Sequence, residues 1–117
     1  WVAEVCQAML ERLGYHVTVK TDSEEALETF RATNDTYHLV ISDMTMPRMT
    51  GADLARAFLE LRPNLPFILC TGFSELIDEE KAKALGIKAL IMKPIELNVL
   101  AETVRSVLDG RAPLQST

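Results

Sequence analysis

The stretch that decides the fold runs from residue 38 to residue 51 and reads His-Leu-Val-Ile-Ser-Asp-Met-Thr-Met-Pro-Arg-Met-Thr-Gly. It opens with a short run, residues 38–42, that is mostly apolar and does not alternate, and Asp43 follows directly. A run of this kind predicts a strand that is buried on both faces, as in a parallel sheet. The polar residues after Asp43 predict a loop, and Gly51 ends that loop just before a helical spacing of apolar residues begins.

Helices and strands are predicted to alternate on both sides of this stretch. Further strands are expected at residues 15–20, 67–70 and 89–92, where short β-rich or apolar runs occur. Apolar residues three or four apart predict helices at residues 2–13, from a Thr21/Glu24 capping box to about 32, around 54–61, about 78–85 and about 96–108. Strands that alternate with helices favour an α/β fold with a parallel sheet covered on both faces.

Two of these helices have apolar stripes that should face the core. In the first helix the stripe comprises Val2, Val5, Cys6, Met9, Leu10 and Leu13. In the last helix it comprises Leu97, Leu100, Ala101, Val104, Val107 and Leu108.

The bulk properties predict one globular domain at residues 1–109 and a short C-terminal tail at 110–117. The formal charge of −5 argues against nucleic acid as a partner. No apolar run approaches the ~20 residues needed to cross a bilayer, and no signal peptide is visible. The expected location is therefore the cytoplasm, where Cys6 and Cys70 would be buried free thiols.

Three polar side chains follow predicted strands. Asp43, Thr71 and Lys93 each come at the carboxyl end of a strand, where ligands bind in open parallel sheets. A carboxylate, a hydroxyl and an ammonium can together perform phosphoryl chemistry. Each residue alone has an ordinary interpretation, as a loop cap, a turn residue or a solvated charge, so the hypothesis depends on their joint placement.

The segment Asp43-Met-Thr-Met-Pro47-Arg-Met-Thr-Gly51 resembles the phosphoacceptor loop of response-regulator receiver domains, which reads D-x-x-M-P-x-x-x-G. The same order brings Thr71 and the pair Lys93-Pro94, which are also typical of receivers. The resemblance extends from residue 1 to about 109.

The resemblance implies a CheY-like receiver with a flavodoxin-like fold and sheet order 2-1-3-4-5. It implies phosphoryl transfer from a phosphohistidine to Asp43, with Thr71 and Lys93 binding the phosphate. Asp43 and the backbone carbonyl of Thr45 would bind Mg²⁺. Pro47 and Gly51 would shape the loop, and a cis bond before Pro94 would aim Lys93 into the site.

The sequence departs from the family pattern at its start. Receivers normally begin with a strand that ends in a pair of acidic Mg²⁺ ligands, whereas this chain begins at Trp1 within the first predicted helix. The first strand is therefore expected to be absent from residues 1–117, with the acidic ligands upstream of Trp1. Upstream residues or strand exchange with a second copy would fill the gap, and Mg²⁺ binding would be weak without the acids. In addition, Leu90 occupies a position where many receivers carry an aromatic switch residue.

The resulting hypothesis is a phosphoacceptor domain of a two-component phosphorelay that switches partner binding and is not itself an enzyme. Its partner would be a histidine kinase or phosphotransfer domain. The chain would be either free-standing or the C-terminal receiver of a hybrid sensor histidine kinase, and it could form a homodimer. The alternative is a receiver-like interaction module that is not phosphorylated. A phosphatase with an aspartate nucleophile is disfavoured because it needs an acid at the position of Thr45.

Overall fold

The computed structural model describes residues 3–20, 22–33, 37–44, 49–71, 79–92, 96–109 and 115–116. The helices in these ranges are α1 (Ala3–Arg12), α2 (Ser23–Ala32), α3 (Gly51–Leu61), α4 (Glu79–Leu85) and α5 (Leu97–Leu108). The strands are β1 (Val40–Asp43), β2 (Phe67–Thr71), β3 (Ala89–Met92) and β4 (Gln115–Ser116). None of these helices has the length and apolar character needed to cross a membrane.

The described strands form one parallel sheet in the order β1-β2-β3-β4. Asp43, at the end of β1, aligns with Cys70 of β2. Thr71, the next residue of β2, aligns with Met92 of β3. The prediction of a parallel α/β sheet is confirmed, and the neighbours β1, β2 and β3 correspond to strands 3, 4 and 5 of the implied order.

The sheet separates two apolar clusters because successive side chains of a strand point to opposite faces. On β2, Phe67 and Leu69 belong to the cluster that contains α2, α3 and α4. Ile68 and Cys70 belong to the cluster that contains α1 and α5. The unbroken apolar character of β2 is therefore explained by burial on both faces.

The predicted strand at residues 15–20 is wrong. This segment has no regular secondary structure, although Tyr15 and Val17 pack against the α1/α5 cluster. A strand needs a neighbour for its main-chain groups, and the neighbour in the implied order is the first strand, which no described residue forms. The apolar side chains of this segment therefore pack against the core although its backbone forms no strand ladder.

Helix boundaries follow local signals. Gly14 has a φ of 99° just after α1, a conformation that glycine adopts readily. The Asp22 side chain accepts a hydrogen bond from the Glu24 amide, so Asp22 and not Thr21 caps α2. Thr50 caps α3 in a capping box with Asp53.

The predicted apolar stripes are correct in the middle of the helices and wrong at their ends. Cys6 and Leu10 of α1 are buried, as are Leu100, Val104 and Val107 of α5. In contrast, Val5, Leu13, Leu97 and Leu108 are each more than one third exposed. Side chains near the ends of α1 and α5 are therefore covered less completely than those in the middle.

The C-terminal tail contains a short strand that the sequence did not predict, because Gln115 and Ser116 pair with Leu90 and Ile91. Helix α5 packs on the opposite face of the sheet from α3 and α4. In the order β1-β2-β3-β4, each new strand nevertheless lies on the same side of the one before it. The β3–α5–β4 connection therefore has the opposite hand to the β1–α3–β2 and β2–α4–β3 connections. About 98% of such connections are right-handed, which makes this two-residue pairing an unusual addition to the sheet.

Candidate functional site

The site residues lie where three parallel strands end at the same edge of the sheet. Asp43 is the last residue of β1, and Thr71 and Met92 are the last residues of β2 and β3. Thr71 stands one residue beyond Cys70, the register partner of Asp43. Neighbouring strands lie about 4.8 Å apart and rise about 3.3 Å per residue, which places the Cα atoms of Asp43 and Thr71 roughly 6 Å apart.

Asp43 and Thr71 are buried polar residues in a largely apolar core. Their exposed fractions are 7% and 2%. A buried carboxylate or hydroxyl is costly unless it is hydrogen-bonded, so residues in such places usually have a specific role. The neighbouring strand residues Leu69, Cys70 and Ile91 are apolar and also buried.

Hydrogen bonds fix the main chain where it leaves β1. The Met44 amide donates to the Cys70 carbonyl at 2.8 Å, which continues the ladder one residue beyond Asp43. The Gly51 amide donates to the Met44 carbonyl at 2.8 Å and ties the start of α3 to the end of β1. The Ser42 hydroxyl donates to the Asp43 carbonyl at 3.0 Å. Asp43 therefore projects from a backbone that is held on several sides.

Gly51 is required by close packing. A β-carbon at this position would overlap the carbonyl oxygen of Asp43, and it would lie 2.5 Å from Leu69 Cδ1 and 2.9 Å from Met44 Cα. Only glycine allows α3 to begin this close to the end of β1. Backbone packing thus determines how close the start of α3 lies to the end of β1.

Several predicted site residues lie outside the described residues: Thr45, Pro47, Lys93 and Pro94. Lys93 directly follows Met92, whose backbone aligns with Thr71. The strand register therefore places the backbones of Asp43 and Thr71 near each other and ends β3 beside them, one residue before Lys93.

Similarity to known proteins covers most of the chain. The family model of the response regulator receiver domain matches residues 1–105. The chain belongs to this family. A receiver domain is a phosphoacceptor signalling domain of two-component systems, and that is the function of this chain.

Individual receivers resemble the chain along most of its length. The response regulator receiver protein CpdR of Brucella abortus is 31% identical over 99 residues, which cover 85% of this chain and 81% of CpdR. A response regulator receiver domain from Clostridium thermocellum superposes with a TM-score of 0.86 at 25% identity, covering 92% of this chain and 86% of that one. A receiver domain of a signal transduction histidine kinase from Syntrophus aciditrophicus superposes with a TM-score of 0.78 at 33% identity. The match covers 92% of this chain and 82% of that one.

Other curated relatives are much longer than this receiver domain. The chain spans 46% of the length of one and 7% of another. The predicted flavodoxin-like fold and receiver family are confirmed by these comparisons, whereas the individual site residues remain predictions.

Receiver domains generally bind Mg²⁺ at the phosphorylation site. Across the described ranges, no three His, Cys, Asp or Glu side chains come close enough together to hold a metal ion. Asp43 contributes one carboxylate, whereas Mg²⁺ prefers about six oxygen ligands in near-octahedral geometry. The described residues therefore do not form a magnesium site by themselves.

Sequence analysis did not single out Ser42. Its signal was a hydroxyl within an otherwise apolar strand, directly before the predicted phosphoacceptor. The structure gives this hydroxyl a specific acceptor, the Asp43 carbonyl.

Proposed function

We propose that Asp43 of this receiver domain accepts a phosphoryl group from a phosphohistidine on a histidine kinase or phosphotransfer domain. The observation that carries the proposal is the position of the buried residue Asp43 at the end of β1. It aligns with Cys70, the residue directly before Thr71. Receiver domains in general interact with such partners. The cognate partner of this chain would be recognised at the same edge of the sheet.

The chemistry requires a carboxylate nucleophile and a phosphorylated imidazole. An oxygen of Asp43 attacks phosphorus, a P–O bond forms, and the P–N bond to histidine breaks. The imidazole departs with the electron pair of that bond and takes up a proton, and Asp43 becomes an acyl phosphate. The transfer needs neither an oxidant nor a further substrate.

Thr71 and Lys93 supply the groups that bind the transferred phosphate. The Thr71 hydroxyl would donate a hydrogen bond to a phosphate oxygen, and the Lys93 ammonium would offset the negative charge. Pro47 and Gly51 would shape the acceptor loop, and Pro94 would orient Lys93. Mg²⁺ would be bound by Asp43, the Thr45 carbonyl and acidic residues upstream of Trp1 in a longer polypeptide.

Switching in this receiver would not use an aromatic side chain at residue 90. Leu90 is buried, with an exposed fraction of 3%, in the cluster that contains α3 and α4. It carries no hydroxyl that could turn toward Thr71. A change at Thr71 would instead reach β3 through the backbone pairing of Thr71 with Met92.

The test is phosphorylation of the longest natural polypeptide that contains this chain, with acetyl phosphate and Mg²⁺, followed by intact mass measurement. Asp43→Asn should abolish the mass increase of one phosphoryl group. Asp53→Asn is the matched control, because Asp53 is an exposed aspartate in the first turn of α3. An increase that persists in Asp43→Asn would exclude Asp43 as the acceptor.

A second candidate is a receiver-like interaction module that is not phosphorylated. It is favoured by the lack of a cluster of metal ligands among the described residues. Calorimetric titration with Mg²⁺ separates the two, because only a phosphoacceptor needs the ion. No heat of binding in the longest natural polypeptide would favour the interaction module.

The larger context of the domain is also a proposal. The similarity to CpdR supports a free-standing regulator, and the similarity to the Syntrophus receiver supports a domain of a histidine kinase. We expect a cytoplasmic location, and either a homodimer or strand exchange beside β1. Sequencing of the coding region upstream of Trp1 distinguishes a kinase domain from an independent regulator.

A further inference from the structure

We infer that Ser42 is a positioning residue for phosphoryl transfer, because its hydroxyl adds a hydrogen bond on the carbonyl side of the Asp43–Met44 peptide unit, whose amide side bonds to Cys70. The inference rests on the proposed role of Asp43 as phosphoacceptor and adds a residue that the receiver motif does not contain. Ser42 lies on β1 with an exposed fraction of 5%, and its Oγ donates to the Asp43 carbonyl oxygen at 3.0 Å.

The direction of the Asp43 carbonyl follows from the ladder. The Val40 amide bonds to the Pro66 carbonyl, and the Met44 amide bonds to the Cys70 carbonyl. In a parallel pair, alternate residues of a strand direct their main-chain groups to the same neighbour. The N–H and C=O groups of Asp43 therefore point away from β2, so the Asp43 carbonyl takes no part in the β1–β2 ladder, whereas the Met44 amide of the same peptide unit does. The Ser42 hydroxyl supplies a bond at that point.

The position of Ser42 is otherwise unfavourable for a polar side chain. It aligns with Leu69, and its neighbour Val40 packs with the α3-side cluster, so the hydroxyl lies on an apolar face of the sheet. A buried hydroxyl in such surroundings costs free energy unless it is bonded. Alanine or valine would suit these apolar surroundings, and the hydroxyl that serine carries instead donates to the Asp43 carbonyl.

Gly51 packs against the same carbonyl. The Asp43 oxygen is thus enclosed by the Ser42 hydroxyl and by the first residue of α3. Rotation of the Asp43–Met44 peptide unit would break the Ser42 and Met44–Cys70 hydrogen bonds and disturb the close packing against Gly51. Because the carboxylate is attached to this backbone, fixing the peptide fixes the direction from which the carboxylate attacks phosphorus.

The test compares Ser42→Cys, Ser42→Ala and Ser42→Thr in the longest natural polypeptide, using acetyl phosphate with Mg²⁺. Cysteine has a similar shape but is a weak donor. We expect Ser42→Cys and Ser42→Ala to lower the maximal rate of Asp43 phosphorylation about three- to tenfold, with the half-saturating donor concentration unchanged. Ser42→Thr keeps the hydroxyl and should stay within about twofold of the wild type.

The matched control is Thr103→Val, which removes a buried hydroxyl that bonds to the Val99 carbonyl in α5. It should reduce stability toward urea without changing the maximal rate of the folded protein. A wild-type rate in both Ser42→Cys and Ser42→Ala would overturn the positioning role. So would a loss of rate in Ser42→Thr as large as that in Ser42→Ala, if the Thr variant has normal stability. Neither result would affect the proposed function of Asp43. Failure of the wild type to take up phosphate at Asp43 would overturn the proposed function and the inference together.

Discussion

Gly51 lies so close to the main chain of Asp43 that a β-carbon on residue 51 would overlap the Asp43 carbonyl oxygen. The same glycine donates its amide to the Met44 carbonyl and begins α3. The start of one helix and the end of one strand are therefore packed as a single unit. This unit determines the position of the proposed phosphoacceptor.

Gly51→Ala should damage both stability and phosphoryl transfer. The added methyl group must displace backbone atoms of Asp43 and Met44, and overpacking of this kind costs about 1–3 kcal/mol. Urea unfolding measures the stability loss, and the acetyl phosphate assay measures the rate. Gly14→Ala is the matched control, since its φ of 99° makes alanine unfavourable by about 1–2 kcal/mol while the space around it is open. Equal phosphorylation rates in the two variants would contradict the packing argument.

Thr71→Val should lower the rate of phosphorylation at Asp43 by about tenfold or more. The substitution keeps the shape of a buried residue and removes the hydroxyl, which would otherwise hydrogen-bond a charged phosphate oxygen. Thr71→Ser keeps the hydroxyl and should retain most of the rate. A Val variant as fast as the Ser variant would show that the hydroxyl is not used.

Phe58→Leu should destabilise the domain by about 1–2 kcal/mol without a direct effect on the site. The Phe58 ring stacks on Phe30 with centroids 4.3 Å apart, and it meets Phe67 edge-on at 6.0 Å. Leucine fills part of this volume but makes neither ring contact. Thermal unfolding checks the change, and Leu61→Ala on the exposed end of α3 should cost much less. A larger loss in Leu61→Ala would mean that the aromatic cluster is not the main packing centre of α3.

The sequence predicted those parts of the fold that are determined by local pattern. The apolar runs before Asp43 and Thr71 identified buried parallel strands, because only strands covered on both faces lack polar alternation. The segment at 15–20 has equally good β-propensity, yet it forms no strand, because pairing depends on a neighbour that a local pattern does not reveal. Similarly, the spacing of Leu97 and Leu108 matched the core stripe of α5, but the described residues cover these two side chains only in part.

The site was predictable to the extent that it depends on strand ends. Asp43 and Thr71 could be paired from the rule that parallel strands end at one edge. The close contact of Gly51 with Asp43 and the hydrogen bond from Ser42 could not be predicted, because they depend on the approach of α3 to β1 in three dimensions. A hydroxyl in an apolar strand was the one signal available for Ser42.

Cys6 should react with a thiol reagent such as Ellman's reagent far more slowly in the folded protein than in urea. Burial raises the pKa of the Cys6 thiol above its ordinary value because desolvation disfavours the thiolate. Cys70 is also buried and should be protected as well. Because the Cys6 pKa is raised in the folded state, its contribution to stability is fully present below the ordinary thiol pKa and is lost as the pH rises through that value toward the raised pKa. Cys6→Ala should remove that part of the pH dependence, and an unchanged alkaline profile would contradict the assignment.

Magnesium affinity should depend on residues beyond those that the structure describes. Among the described residues no three His, Cys, Asp or Glu side chains form a metal cluster, and Asp43 brings one carboxylate to the strand ends. We therefore expect a polypeptide of residues 1–117 to bind Mg²⁺ weakly, since the ion prefers about six oxygen ligands. A polypeptide extended upstream to include an acidic pair should bind more tightly, and chelation with EDTA should stop its phosphorylation. Calorimetry on the two polypeptides tests this, with Asp43→Asn in each as the control for binding at the site. Equal affinity in the short and extended polypeptides would contradict this prediction, because it would mean that the metal ligands lie within residues 1–117.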